Sequence, residues 1–203
     1  MLNEKRHKGT EAQRHKGLLI IFSSASGAGK TTVAKEIVKR DPKLTLSVSY
    51  TTRLPRQAEQ QGKDYFFISE DDFEKIVKEG KFLEWEKVHN AFYGTLSESV
   101  REKLSCGKDV ILTIDVKGAK RIKKKYPDSI SFFFRASSVE ELKKRLIKRG
   151  TETEESIAKR MEISDWEQKQ AKDYNYHIVN DKIENAVNEV LSKIETERKR
   201  VPR

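Results

Sequence analysis

Cysteine is nearly absent from this chain, with one residue, Cys106, in 203. A single thiol cannot close an internal disulfide, so a disulfide-stapled secreted fold is excluded and a reducing cytoplasm is the expected compartment. Long apolar runs are missing as well. No stretch approaches the roughly 18 apolar residues of a membrane span. The first seventeen residues, MLNEKRHKGTEAQRHKG, are basic and polar where a secretory signal needs an apolar segment, so none is expected. Internal repeats and low-complexity tracts are also lacking. Acidic residues fall short of basic ones, 32 against 42, which leaves a net charge of +10. Residues 1–17 carry five Lys/Arg and two Glu, and residues 193–203 carry the same numbers, so six of the ten excess charges lie at the two ends. Basic ends of this kind either contact nucleic acid weakly and non-specifically or are simply solvated. The modest positive balance in between suits a protein whose ligands are polyphosphates.

The balance of 35% hydrophobic and 36% charged residues describes a soluble globular chain, long enough to bury the core of one domain with small appendages. Short apolar runs alternate with amphipathic stretches, the pattern of an α/β fold with a parallel sheet. Strands are predicted at Leu18–Phe22, Val110–Ile114, Ile130–Phe134 and His177–Val179, each followed by a helical pattern. The first helix is predicted over Lys30–Arg40, and Ser138 with Glu141 forms a capping box for another that ends at Gly150. The last helix carries Ile183, Ala186, Val187, Val190, Leu191 and Ile194 at helical spacing. Between about Ser49 and Val100 the rhythm breaks into Arg, Pro, Gln, Gly and aromatic residues, with a short helix from Ser69 to about Glu79. That stretch reads as a small subdomain inserted between two βα units. The cationic run Lys117–Lys125 reads as a solvated helix face.

Directly after the first strand comes Ser23-Ser24-Ala25-Ser26-Gly27-Ala28-Gly29-Lys30-Thr31-Thr32. Gly29, Lys30 and Thr31 match the end of the G-x-x-x-x-G-K-[ST] phosphate-binding loop, while Ser24 stands where its first glycine is usual. In such a loop, glycines let successive N–H groups face a phosphate, the helix start adds its positive end, the lysine reaches the β- and γ-phosphates and the hydroxyl ligates Mg²⁺. Ser26, Gly27, Ala28, Gly29, Lys30, Thr31 and Thr32 are thus the candidate ATP-binding residues, with Thr31 the candidate metal ligand and Mg²⁺ the expected cofactor.

A second motif, Ser47-Val48-Ser49-Tyr50-Thr51-Thr52-Arg53-Leu54-Pro55-Arg56, is followed by Glu59, Gly62, Asp64, Tyr65 and Phe67. Two arginines three residues apart, with serines before and a tyrosine after, supply a fork of donors for a dianionic phosphate, although a solvated loop would look the same. The whole motif resembles the guanylate kinase signature. So do Leu83-Glu84-Trp85, Phe92-Tyr93-Gly94-Thr95, Ile114-Asp115-Val116-Lys117-Gly118, Arg149 to Glu155 and Ile178-Val179-Asn180-Asp181, and the likeness runs from about Gly17 to Lys193.

The resemblance implies a P-loop three-layer α/β fold with a central parallel sheet, an inserted GMP-binding subdomain and a small lid. By residue ranges, 1–16 is a basic tail, 17–48 and 101–203 the core with a lid at about 145–165, and 49–100 the GMP-binding unit. It implies phosphoryl transfer from ATP to GMP, with dGMP a further candidate acceptor and the oligomeric state open. Ser49, Arg53, Arg56, Tyr65 and Tyr93 would bind the GMP phosphate. Glu84 and Asp115 would accept from the guanine N1 and N2 groups and Thr95 would donate to O6. Asn180 would belong to the ATP site, and Lys30, Arg145, Arg149 and Arg160 would meet the migrating charge. Thr113 departs from the family pattern, which often carries an acid there near the metal. None of the four histidines has motif support, and an ionised phosphate acceptor needs no general base. Two other readings survive at this point: a catalytically silent guanylate-kinase-like binding module, and a nucleic-acid-binding protein acting through its basic ends.

Overall fold

The computed structural model describes residues 17–24, 28–88, 90–148, 166, 167 and 169–200. Nine strands and six helices occur among the described residues, arranged as two sheets. The larger sheet is parallel, in the order β2 (Leu44–Leu46), β7 (Asp109–Thr113), β1 (Leu19–Ser24), β8 (Ile130–Arg135), β9 (Tyr176–Val179). These strands are almost continuous apolar runs, rich in Ile, Val and Phe, because helices cover both faces. The alternation of the strand then sorts each residue to a side. Ile20, Phe22, Ile111, Phe132, Phe134 and Ile178 pack beneath α1 (Lys30–Arg40) and α6 (Ile183–Arg200). Leu19, Ile21, Val110, Leu112 and Phe133 pack on the other side, against Val100 of α3 (Ser97–Ser105) and Ala119 and Ile122 of α4 (Val116–Lys125). The expected three-layer α/β architecture is present, and the predicted strands and α1 agree with those observed to within two residues at either end.

The inserted stretch differs from its sequence reading, which saw only a helix there. It folds as a second sheet in the order β4 (Phe66–Phe67), β3 (Tyr50–Thr51), β6 (Ala91–Leu96), β5 (Phe82–Val88), with α2 (Glu70–Lys78) packed on it. Ser69 caps α2 by accepting from the Asp72 amide, and Phe73 carries the helix into an aromatic cluster with Phe82, Phe92 and Trp85. β5 pairs only with β6 and is therefore an edge strand; its register with β6 breaks between Phe82 and Glu84. The outer side of β5 lies against α4.

The basic C-terminal stretch also departs from its reading as a solvated end. α6 continues to Arg200, and Arg198 reaches back so that Nη1 donates to Asp41 and Nε to Asp109, both at 2.7 Å. Asp109 in turn accepts from the Leu18 amide at the start of β1, so one arginine fastens the last helix to the sheet. All three side chains are largely covered. Arg198→Met is expected to lower the unfolding free energy by about 2–3 kcal/mol, since two covered carboxylates lose their partner. A thermal melt checks this, and an unchanged midpoint would show that the cluster contributes nothing.

Candidate active site

β1 is the central strand, with β7 on one side and β8 on the other, and chain connections diverge at its carboxyl end. Open parallel sheets bind ligands at such a place. Ser24 still belongs to β1, paired with Phe134, so its backbone is extended and the usual glycine is not needed there. The loop closes on Gly29, the N-cap of α1, at φ 83°, a left-handed conformation that a side chain resists. Asn180, at the end of β9, donates from Nδ2 to the Ala28 carbonyl at 2.7 Å. A Cβ on Gly29 would come within 2.4 Å of that same amide nitrogen, so glycine is required twice over.

Lys30 and Thr31 open α1. Lys30 Nζ donates to the Ile114 carbonyl at 2.6 Å, which ties the loop to the end of β7. Its side chain is half-buried at the cavity wall, and loss of hydration pulls its pKa down to about 8 even though Asp115, Glu167 and Glu84 all act to raise it. Arg145 of α5 (Val139–Lys148) lies close to Gly29, with Nε on Glu141 at 2.7 Å.

Across the cavity, Arg53 presents its fork to Glu59, with Nη1 and Nη2 each 2.7 Å from a carboxylate oxygen, and its guanidinium lies over the Tyr65 ring. Glu59 also accepts from the Arg56 amide at 2.9 Å. The Arg53 guanidinium holds the Glu59 carboxyl below its ordinary range. Deeper in, Glu84 is 7% exposed, and burial pushes its pKa up to about 7, the nearby Asp115 adding to the rise and the Thr95 hydrogen bond opposing it. Thr95 Oγ1 donates to Glu84 Oε1 at 2.8 Å and lies 3.3 Å from Ser49 Oγ. Asp115 is the N-cap of α4, accepting from the Gly118 amide at 2.8 Å.

One cavity of about 570 Å³ joins the two sets. Gly29, Lys30, Thr31 and Thr32 line it on one side, and Ser49, Arg53, Arg56, Tyr65, Glu84, Tyr93 and Asp115 on the other. Thr95 is fully buried behind this wall and reaches it only through Glu84 and Ser49. Ala28 is buried as well, and Asn180 is committed to the loop it supports. Ser26, Gly27, Arg149 and Arg160 lie outside the described residues, as does most of the expected lid.

A phosphate-binding helix start facing a second cluster of arginines and tyrosines, with two carboxylates between them, is the site expected of a nucleotide kinase. A guanylate kinase family model matches residues 16–197. The chain belongs to the guanylate kinase family. It is 49% identical to a guanylate kinase of Clostridium tetani, over 93% of this chain and 90% of that one. With a guanylate kinase of Caldanaerobacter subterraneus subsp. tengcongensis it shares 44% identity, over 94% and 92% respectively. The crystal structure of guanylate kinase from Anaplasma phagocytophilum superposes with a TM-score of 0.77 at 27% identity, covering 91% of this chain and 87% of that one.

Several residues around the cavity are not marked in the sequence. Trp166 and Glu167 line the cavity, although no motif marks them. Glu59 belongs to the signature, but nothing in the spacing shows that it occupies the Arg53 fork. Lys117 borders the cavity and Arg121 and Lys123 make specific bonds, which corrects the reading of Lys117–Lys125 as merely solvated. Among the described residues no group of three His, Cys, Asp or Glu side chains is placed to hold a metal. Near the loop the oxygens that line the cavity are the hydroxyls of Thr31 and Thr32, with the Asp115 carboxylate across it. That donor set suits Mg²⁺, which keeps waters and phosphate oxygens and takes only one or two ligands from protein.

Proposed function

We propose that this member of the guanylate kinase family transfers the γ-phosphoryl group of ATP to GMP, giving ADP and GDP, in the cytoplasm. The observation that carries the reading is one cavity with an anion-binding face at each end and two carboxylates, the buried Glu84 and the half-buried Asp115, at one of them. The unit of residues 49–100 holds the acceptor, and the parallel sheet with its loop holds the donor.

Lys30 sits where its ammonium meets the β- and γ-phosphates, and the amides around Gly29 with the start of α1 complement the same charge. Thr31 would hold Mg²⁺, which neutralises phosphate charge when bound. Arg53, Arg56, Tyr65 and Tyr93 grip the acceptor phosphate, a grip for which Glu59 holds Arg53 in place until the phosphate arrives. Glu84 and Asp115 accept the guanine N–H groups, Ser49 joins the grip on the acceptor phosphate, and Thr95, expected to donate to O6, instead donates to Glu84 and orients it. Arg145, with Arg149 and Arg160 of the lid, meets the charge of the group in transit. The acceptor oxygen is already ionised near neutral pH, so positioning and charge neutralisation supply the catalysis.

ADP formation from ATP and each nucleoside monophosphate in turn tests the reading directly. GMP is expected to be much the best acceptor, and no turnover with GMP would leave the silent-module reading in its place. Arg53→Ala should raise the KM for GMP about tenfold or more with a smaller change in kcat, because that contact already exists before the transition state.

A further inference from the structure

Glu84 lies on an edge strand just beyond a register break, a place where a strand is free to re-aim its side chains. Its partner Asp115 lies on another element, the cap of α4, which belongs to the parallel sheet rather than to the inserted one. Two carboxylates from separate sheets can match one purine edge only if something fixes their separation.

Two residues of α4, three positions apart and so on one face of the helix, are placed to do this. Gly118 donates its amide to Asp115 Oδ1 at 2.8 Å. A Cβ at Gly118 would lie 2.8 Å from Glu84 Oε2, closer than such atoms approach, and 3.0 Å from Asp115 Oδ1, a tight contact, so the Glu84 carboxylate would have to move. Only a residue without a side chain lets the Glu84 carboxylate settle against α4 beside Asp115. One turn on, Arg121 Nη2 donates to the Trp85 carbonyl and pairs with the Glu86 carboxylate at 2.7 Å. Those are the next two residues along β5, so Arg121 fastens the open edge of the strand immediately after Glu84. Neither Gly118 nor Arg121 lines the cavity.

We infer that Gly118 and Arg121 are positioning residues for base selection, setting the Glu84 carboxylate at its working distance from Asp115. The inference rests on the reading of Glu84 and Asp115 as acceptors for guanine. Gly118 acts by absence of bulk and Arg121 by clamping the strand. Their effect therefore falls on GMP binding and on purine discrimination, while the ATP side of the cavity is untouched.

The test uses the full chain with Gly118→Ala, Arg121→Met and, as reference, Glu84→Gln. Steady-state kinetics are measured with GMP, with IMP, which lacks the 2-amino group, and with varied ATP. Both α4 variants are expected to raise the KM for GMP about tenfold and to lower the GMP-to-IMP ratio of kcat/KM about fivefold or more, through displaced acceptors. Their kcat and KM for ATP should stay within about twofold of the wild type. The helix propensity gained by Gly118→Ala offsets part of the strain at Glu84, so a small change in melting temperature with markedly weaker GMP binding is the expected combination, one that general damage does not produce. A normal KM for GMP in both α4 variants, with Glu84→Gln impaired, would overturn the inference and leave the guanine reading standing. Normal GMP binding by Glu84→Gln would remove the guanine reading itself, and the inference with it. A parallel rise in the KM for ATP with a lower melting temperature would mark damage to the fold and overturn the inference as well.

Discussion

Lys30→Met is expected to lower kcat about 10³-fold or more while making the nucleotide-free protein more stable. The loss of turnover follows from the place of Lys30 at the start of α1, bonded to the Ile114 carbonyl and facing the cavity that the loop lines. A cation there is needed most when the γ-phosphoryl group is between donor and acceptor, so kcat should fall more than nucleotide affinity. The gain in stability follows from the same loss of hydration. With its pKa pulled from 10.5 to about 8, folded Lys30 binds a proton less readily than unfolded Lys30 does. The unfolded chain therefore holds more protons between about pH 8 and 10.5, and stability rises with pH across that window. Below pH 8 the full cost of the dehydrated ammonium is present, on the order of 2–3 kcal/mol. Methionine fills similar space without charge, although the Ile114 carbonyl loses its donor. Thermal melts without nucleotide should show the variant above the wild type at pH 7, with the gap narrowing toward pH 10. A variant that melts lower at pH 7, or one that keeps near-normal kcat, would contradict the assignment. Phosphates entering the cavity add counter-charge beside Lys30, so ATP should raise the melting temperature of the wild type more than that of the variant.

The parallel sheet and the loop could be read from the sequence because their signals are local. Leu19–Phe22 is apolar on both faces, Lys30 to Arg40 repeats at helical spacing, and Gly29-Lys30-Thr31 joins the two in the required order. The second sheet could not be read this way. β3 and β4 are two residues long, too short to show alternation, and β2, three residues at the edge of the parallel sheet, escapes the sequence reading for the same reason. What stabilises these strands is pairing across long stretches of chain, as between Tyr50 and Gly94, which no window of sequence contains. The same limit applies within the site. Glu84 and Asp115 are legible only through resemblance to a family, since nothing beside them in sequence shows that both face one cavity. The Glu59 carboxylate and the Arg53 fork are six residues apart in irregular chain, and only the fold shows that they meet. Arg198 looked like part of a basic end because its partners, Asp41 and Asp109, are distant in sequence.

Glu84→Gln is expected to cost about 2–3 kcal/mol of the preference for GMP over AMP, or roughly 30- to 150-fold, and to flatten the pH dependence of GMP use. Guanine presents N–H groups on the edge where a carboxylate accepts them. An amide offers one acceptor and one pair of donors, so one guanine N–H meets another donor instead of a partner. The pH argument adds a signature that a purely structural role would lack. Burial and Asp115 together place the Glu84 pKa at about 7 in the empty site, where the Thr95 hydroxyl holds one oxygen. Below pH 7 the carboxyl is mostly protonated and must lose its proton before it can accept two guanine donors. The kcat/KM for GMP should therefore rise with pH up to about 7.5, at a limiting slope of one decade per unit below the pKa, and binding near neutrality should release a proton. The GMP phosphate also ionises, with a second pKa near 6, and contributes its own limb at lower pH. The two limbs separate in the variant, because glutamine does not titrate. Glu84→Gln should keep the phosphate limb and lose the rise between about pH 6.5 and 7.5. Stability carries the opposite sign. A carboxyl with its folded pKa raised from 4.5 to about 7 binds more protons folded than unfolded in that interval, so its contribution falls as pH rises and is least favourable above 7. The variant should thus melt above the wild type at pH 8 and approach it near pH 5. Identical pH profiles of kcat/KM in the two proteins would show that Glu84 does not titrate in the guanine site.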